Sequence, residues 1–309
     1  MTASVAGPEA AMTAHSGAEA RGRIADVVSV FKPRIAVAIM LSALGGLAVT
    51  PGPLPSFAAI AALAGAVFLA AASAGAFNMW IESDLDRGMT RTAGRPFATG
   101  RFTAGPLWLA SILALLAAAV AAAWVAANAW AALYTFLGAF TYGIVYTVWL
   151  KRRSWTNIVV GGLAGSFAVL AGAAAVNPAL GAEAAILTVV LFLWTPPHFW
   201  SLAMAARDDY ARCSVPMLPV VAGNAVCARV ILAHTATLAL LALAPVWWGM
   251  GPIYLAGAAI GGALFTWTSL ALVRHPDRAH AIRNFLASLV QLLLLLGGAI
   301  IERAVGVWG

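Results

Sequence analysis

Asn78, Glu82 and Asp86 fall at four-residue intervals where a long apolar stretch gives way to a charged loop. On a continuing helix each step of four turns about 400°, so the three oxygen-bearing side chains share one stripe with a drift of about 40° per step. Such a stripe suits a hard divalent cation such as Mg2+, which takes one or two carboxylates and completes its shell with water and substrate phosphates. Arg91 and Arg95 follow at once, and their guanidinium forks match phosphate oxygens. A second pair of acids, Asp208 and Asp209, precedes Tyr210 after another apolar stretch. The alternative for Glu82, Asp84 and Asp86 is a set of solvated loop charges paired with Arg87 and Arg91, Asp84 with Arg87 at i, i+3. Asn78 discriminates, because an amide ending an apolar helix has no reason to be in register with the acids. Together the two clusters read as holding a diphosphate between them through bridging Mg2+ ions.

The elements that must position these groups are membrane helices. Of the 309 residues, 62% are hydrophobic and 9% charged, with mean hydropathy +0.91. Soluble proteins carry roughly a quarter charged residues, so a soluble enzyme, a fibrous protein and a disordered chain are excluded. A hydrocarbon core of about 30 Å needs about 20 apolar residues of helix. Stretches of that kind cover 33–50, 57–81, 104–126, 128–150, 157–176, 184–206, 230–248, 253–273 and 284–301, predicting an all-α bundle of nine transmembrane helices. With the N-terminus cytoplasmic, Arg303 alone of the 18 Lys and Arg residues falls on the outer face, a bias that fixes orientation by the positive-inside rule. The net charge of +7 thus needs no nucleic acid. Residues 1–30 are expected to be a flexible cytoplasmic segment, and 31–309 the transmembrane domain. Cys213 and Cys227 are too few for a disulfide framework and read as free thiols. Gly161 with Gly165, and Gly257 with Gly261, are spaced for close helix approach.

The spacing Asn78-x-x-x-Glu82-x-x-x-Asp86 after the second helix, with the acids after the sixth, resembles the intramembrane prenyltransferase superfamily, with Glu82 where Asp is usual. Within it the chain is similar to the haem O synthase family. The resemblance is carried by Lys32-Pro33-Arg34, Asn78-Met79-Trp80, Asp84-Leu85-Asp86, Tyr146 through Arg152, Asn157-Ile158-Val159, Trp194-Thr195-Pro196-Pro197-His198-Phe199-Trp200, Asp209-Tyr210 and Pro216 through Val220. It implies transfer of the farnesyl group of farnesyl diphosphate to a vinyl group of haem B, giving haem O and diphosphate, with Mg2+ as cofactor. On that basis Asn78, Glu82, Asp86, Lys151 and Asp209 are the candidate catalytic groups. Arg91, Arg95, Tyr146, Arg152, His198, Asp208 and Tyr210 are the candidate substrate contacts. The metal ligands would be Asn78, Glu82, Asp86, Asp208 and Asp209. The setting implied is the cell inner membrane, with the lipid bilayer around the helices, the site facing the cytoplasm, and delivery of haem O to a downstream haem A synthase or oxidase assembly.

Six residues keep alternatives open. His198 lies about 12 Å inside the sixth helix, where Pro196 and Pro197 remove amide donors. It either satisfies the carbonyls freed there or meets the haem, as an axial ligand or a polar contact. Lys151, Arg152 and Arg153 are either an interfacial cluster or anion contacts for diphosphate or propionates. Tyr142 and Tyr146 place two aromatic faces one turn apart, for packing or for a cation. A prenyltransferase acting on an aromatic acid or quinone precursor is the rival reading, opposed by the Pro-Pro-His-Phe-Trp run. A transporter would instead place ionisable groups near the midplane and break helices in both halves.

Overall fold

The computed structural model describes residues 22–306, and among these every regular element is helical. Eight helices are long and apolar enough to cross a membrane: α2 (Phe57–Ile81), α3 (Pro106–Ala126), α4 (Ala129–Leu150), α5 (Asn157–Val176), α6 (Ala182–Ala205), α7 (Asn224–Trp248), α8 (Pro252–Arg274) and α9 (Arg278–Ala304). A ninth span is completed when α1 (Pro33–Val49) is joined to the short helix Gly22–Val30, from which it bends by 42°. The chain is a polytopic membrane protein. Several helices outrun their apolar stretches. α7 starts at Asn224 and α9 at Arg278, the helical backbone running on past Arg229 in the one and Arg283 in the other.

Residues 22–30 depart from the expectation of a flexible segment. They form a helix whose Val30 is buried in a cluster with Ala76, Met79, Phe97 and Ile112. The rest of the expected segment, residues 1–21, lies outside the described residues. The bend has a local cause. Pro33 opens α1 at its first turn, where no amide donor is needed. A residue before proline is disfavoured in the right-handed helical region, and Lys32 turns instead to φ 48°, ψ 56°. That turn points the Lys32 side chain at the end of α2.

Consecutive helices pack side by side and α9 returns to α1, while α1 with α5 and α6 with α9 pack across the bundle. The α1–α5 crossing depends on two glycines that the spacing of small residues did not single out. A Cβ on Gly172 would lie 1.7 Å from Ala43 O, and one on Gly46 would lie 2.0 Å from Val169 O. Gly172→Ala is therefore expected to destabilise the fold by about 1–3 kcal/mol or more, read as a lowered midpoint of thermal unfolding in detergent. An unchanged midpoint would contradict this packing. Gly257 has the predicted role, its Cβ position 2.3 Å from Leu294 O, whereas Gly165 faces open space. Both cysteines are free.

Candidate active site

Asn78, Glu82 and Asp86 keep their helical spacing even though α2 ends at Glu82 and a six-residue helix, Ser83–Gly88, follows. Glu82 N donates to Asn78 O at 3.1 Å and Asp86 N to Glu82 O at 2.8 Å, so the stripe survives the junction. All three side chains are buried. Lys32 Nζ donates to Asn78 Oδ1 at 2.5 Å. The Asn78 amide nitrogen spends its two hydrogens on Glu82 Oε2 at 2.7 Å and Thr147 Oγ1 at 2.9 Å. Lys151 Nζ reaches the same Glu82 oxygen at 2.5 Å. One turn on, both oxygens of Asp86 accept from Arg95 Nη1 at 2.8 Å. The extra methylene of Glu82, relative to Asp, gives its carboxylate the reach to meet Asn78 and Lys151 together.

The far wall comes from α4, whose last ten residues, Thr141–Leu150, wind as a π-helix. Its wider turn puts Lys151 N on Tyr146 O at 2.9 Å, five residues back, and such insertions recur at functional sites. The rings of Tyr142 and Tyr146 stack at 5.6 Å. Lys32 Nζ stands 5.8 Å from the Tyr142 ring centre and Lys151 Nζ 5.7 Å from that of Tyr146, within range for cation–π attraction. Gly161 makes room for this wall, since a Cβ there would lie 3.0 Å from Tyr146 Cδ2.

The group comprises three basic side chains, the buried Lys151 and the half-buried Lys32 and Arg95, against the two buried carboxylates of Glu82 and Asp86. Two acceptors remain without a hydrogen bond, Glu82 Oε1 and Asn157 Oδ1. Asn157 belongs to the same wall, through its amide contact to Lys151 O at 3.3 Å. Buried acceptors left this way call for a cation or a donor from outside the chain.

The second acidic cluster is joined to the first through Thr90. Asp209 accepts from Thr90 N and Thr90 Oγ1, each at 3.0 Å, and from Arg212. Partial burial raises the Asp209 carboxyl, but the Thr90 hydrogen bonds and the Arg212 charge outweigh it and hold the group below the usual carboxylate range. The five acids Glu82, Asp84, Asp86, Asp208 and Asp209 do not form one metal cage. Among the described residues no three His, Cys, Asp or Glu side chains converge. The physical reason is that Lys151, Arg95, Thr90 and Arg212 each hold a carboxylate in place.

Other candidates are placed elsewhere. Arg152 is drawn to Asp84 in an exposed pair at 2.8 Å, outside the buried group. Its hydrogen bonds lower the Asp84 carboxyl. Arg87, the partner expected for Asp84, bonds Ser83 O instead. Tyr210 is buried in the same apolar cluster as Tyr146, behind the site. Asp208 and Arg91 line a separate cleft at the loop face. His198 faces α9, its ring between Trp194 at 4.3 Å and Phe285 at 4.6 Å. It does not satisfy the carbonyls freed by the proline pair. Pro197 leaves Leu193 O without its helical donor, and the ring nitrogen 3.4 Å from that oxygen belongs to His234. Lys32, Thr90 and Thr147 were not legible as site residues, though Lys32 stood beside a proline at the start of a span.

A polytopic helical bundle with paired acids and a ring of cations at one end of its helices defines a class, and the chain belongs to the UbiA prenyltransferase family, whose description matches residues 39–294. It is a membrane prenyltransferase. The chain is 58% identical over 276 residues to Protoheme IX farnesyltransferase 2 of Paramagnetospirillum magneticum, covering 89% of this chain and 96% of that one. It is 46% identical over 274 residues to Protoheme IX farnesyltransferase 1 of the same organism, covering 87% and 94%. Its fold is similar to the structure of a UbiA homologue from Archaeoglobus fulgidus bound to GPP and Mg2+, with TM-score 0.66, 15% identity, and coverage of 87% of this chain and 99% of that one.

Proposed function

We propose that the chain transfers the farnesyl group of farnesyl diphosphate to a vinyl group of haem B, giving haem O and diphosphate. The observation that carries this reading is the buried ladder Lys32–Asn78–Glu82–Lys151 beside Arg95–Asp86. Its three basic side chains, Lys32, Lys151 and Arg95, outnumber its two carboxylates by one. The two relatives named protoheme IX farnesyltransferase, similar over nearly the whole chain, support the choice of substrates.

Lys32, Lys151 and Arg95 stabilise the negative charge that builds on the diphosphate as its bond to the allylic carbon breaks, at fixed positions that need no reorganisation. The stacked Tyr142 and Tyr146 present aromatic faces to the allylic cation, and the apolar bundle keeps water from it. The vinyl carbon of haem B attacks that cation. A water then adds its oxygen to the porphyrin-side carbon and releases one proton, which completes the hydroxyethylfarnesyl group. The donors present fit a Mg2+ ion, because Glu82 Oε1 is buried and without a hydrogen bond. Asn78, Glu82 and Asp86 would hold it, and Asp208 and Asp209, which lie apart from them, would serve a second ion. When bound, the ion neutralises the leaving diphosphate. Supporting this, the Archaeoglobus homologue of the same fold is described as bound to Mg2+.

By the bias of Lys and Arg toward the loops that carry these acids, the site faces the cytoplasm and the protein lies in the cell inner membrane. Haem O formed there is available in the bilayer to a downstream haem A synthase or oxidase assembly. The test is release of diphosphate by the purified protein in detergent. Release that requires haem B, farnesyl diphosphate and Mg2+ together is expected. Release supported by an aromatic acid or a quinone precursor and indifferent to haem B would replace this reading with its rival.

A further inference from the structure

The two acidic sets stand on separate loops, one following α2 and the other following α6, and Thr90 joins them across 119 residues of chain. Thr90 gives its amide hydrogen to Asp209 Oδ2 and its hydroxyl hydrogen to Asp209 Oδ1, each at 3.0 Å. Arg212 Nη2 donates to the same Oδ1 and reaches Thr90 Oγ1 at 3.4 Å, which closes a triangle. A carboxylate offers about four lone-pair positions. Three are filled here, and the one that remains is on Oδ2. Asp208, the neighbouring acid, makes no hydrogen bond or ion pair to the described residues. Of the pair, only Asp209 is aimed.

The turn that carries Thr90 is anchored at its other end to the first acidic stripe. Thr92, buried at 1% exposure, donates its hydroxyl to Asp86 O at 3.1 Å. Thr92 N and Ala93 N both bond Met89 O, at 3.0 and 2.9 Å, so the backbone between the two threonines is wound into one turn. One short segment thus runs from the main chain of Asp86 to the carboxylate of Asp209. Beside it the loops meet by packing. A Cβ on Gly88 would lie 2.7 Å from Cys213 Sγ, and that sulfur stands 3.9 Å from Leu85 O. Packing of this kind holds the loops together without orienting a carboxylate. Thr90 itself is exposed, so water would satisfy Asp209 in its absence but would not fix its direction.

We infer that Thr90 is a positioning residue for the prenyl-transfer site, setting where Asp209 stands relative to the stripe of Asn78, Glu82 and Asp86. It thereby sets the spacing between the two groups of metal ligands. A diphosphate shared by two ions has a fixed length, so the loops that carry their ligands must keep a matching separation. Hydrogen bonds to a ligating carboxylate orient it, and losing one typically costs ten- to a hundredfold in metal affinity or activity. The inference rests on the two-ion reading above and adds the side chain that ties the second set to the first.

The test uses the purified full chain with its Thr90→Val and Thr90→Ser variants. Valine keeps the shape and the amide bond and removes only the hydroxyl. Mn2+ is the probe, its free form counted by electron paramagnetic resonance in the presence of inorganic diphosphate. Thr90→Val is expected to weaken the weaker class of Mn2+ sites about tenfold. The Mg2+ concentration for half-maximal turnover should rise with it, while the midpoint of thermal unfolding stays within a degree or so because the residue is exposed. Thr90→Ser, which keeps the donor, should restore both values. Unchanged Mn2+ binding in Thr90→Val overturns the inference, and so does a serine variant as impaired as the valine, which would assign the effect to the lost packing. A lowered unfolding midpoint with normal Mn2+ binding would make the link purely structural and overturns it as well. A parent protein that binds no Mn2+ with diphosphate refutes the metal reading itself, an outcome distinct from failure of the variants.

Discussion

Asp86→Asn is expected to lower turnover by about a hundred- to a thousandfold, with little change in thermal stability. The substitution keeps shape and one acceptor oxygen for Arg95, so the local packing around this buried residue survives. What it removes is the charge. On the account above, Asp86 helps hold the cation that neutralises the diphosphate, and its carboxylate aims the Arg95 guanidinium with two bonds of 2.8 Å. Both contributions act on the charge that develops during bond cleavage rather than on ground-state binding. Turnover should therefore fall with the KM for farnesyl diphosphate moving much less. A variant with near-normal turnover would remove Asp86 from the chemistry and leave it a buried structural partner of Arg95. Raising Mg2+ separates the two contributions, because partial recovery assigns the larger share to the metal.

Lys151→Met should be the more damaging change to the protein itself. Lys151 and Glu82 form a buried pair at 2.5 Å, with side-chain exposures of 11% and 2%. Removing one member of such a pair leaves an uncompensated buried charge and costs about 3–5 kcal/mol. The Glu82 carboxylate would keep only the Asn78 amide, since its other oxygen has no partner at all. The double variant Lys151→Met with Glu82→Gln should recover most of that stability, because a neutral amide no longer needs the ammonium. It should not recover turnover, because the cation that faces the leaving group is gone. Thermal unfolding together with turnover in the two variants checks both halves. Recovery of activity along with stability would show that Lys151 is structural, and full stability of the single variant would contradict the buried pair.

The sequence made the bundle legible because membrane spans announce themselves by length and apolarity, and because charge is so scarce that its positions stand out. The acidic stripe was legible for the same reason. Asn78, Glu82 and Asp86 keep the spacing of a helix, and a chain with 11 acidic residues places few of them together by chance. Tertiary partners were not legible. Lys32 enters the site only because Pro33 bends the chain and φ at Lys32 turns positive, a consequence that composition does not reveal. Thr147 and Lys151 are brought together with Asn78 and Glu82 by a π-helical turn, which has no spacing rule to read. Arg152 stood beside Lys151 in the same basic run, yet one faces Glu82 in the interior and the other faces Asp84 at the surface. The partner of the carbonyl freed by the proline pair was hidden for a similar reason. The carbonyl freed by Pro197 is met from α7 by His234, while His198 is held from α9 by Ser288. Which neighbour a membrane helix shows to its kink is decided by packing and not by its own sequence.

The most direct test is the mass of the porphyrin recovered after the purified protein is incubated with haem B, farnesyl diphosphate and Mg2+. The account predicts a haem heavier by the elements of farnesol, with one diphosphate released for each adduct formed. Recovery of unmodified haem B from a folded protein that still releases diphosphate would contradict it.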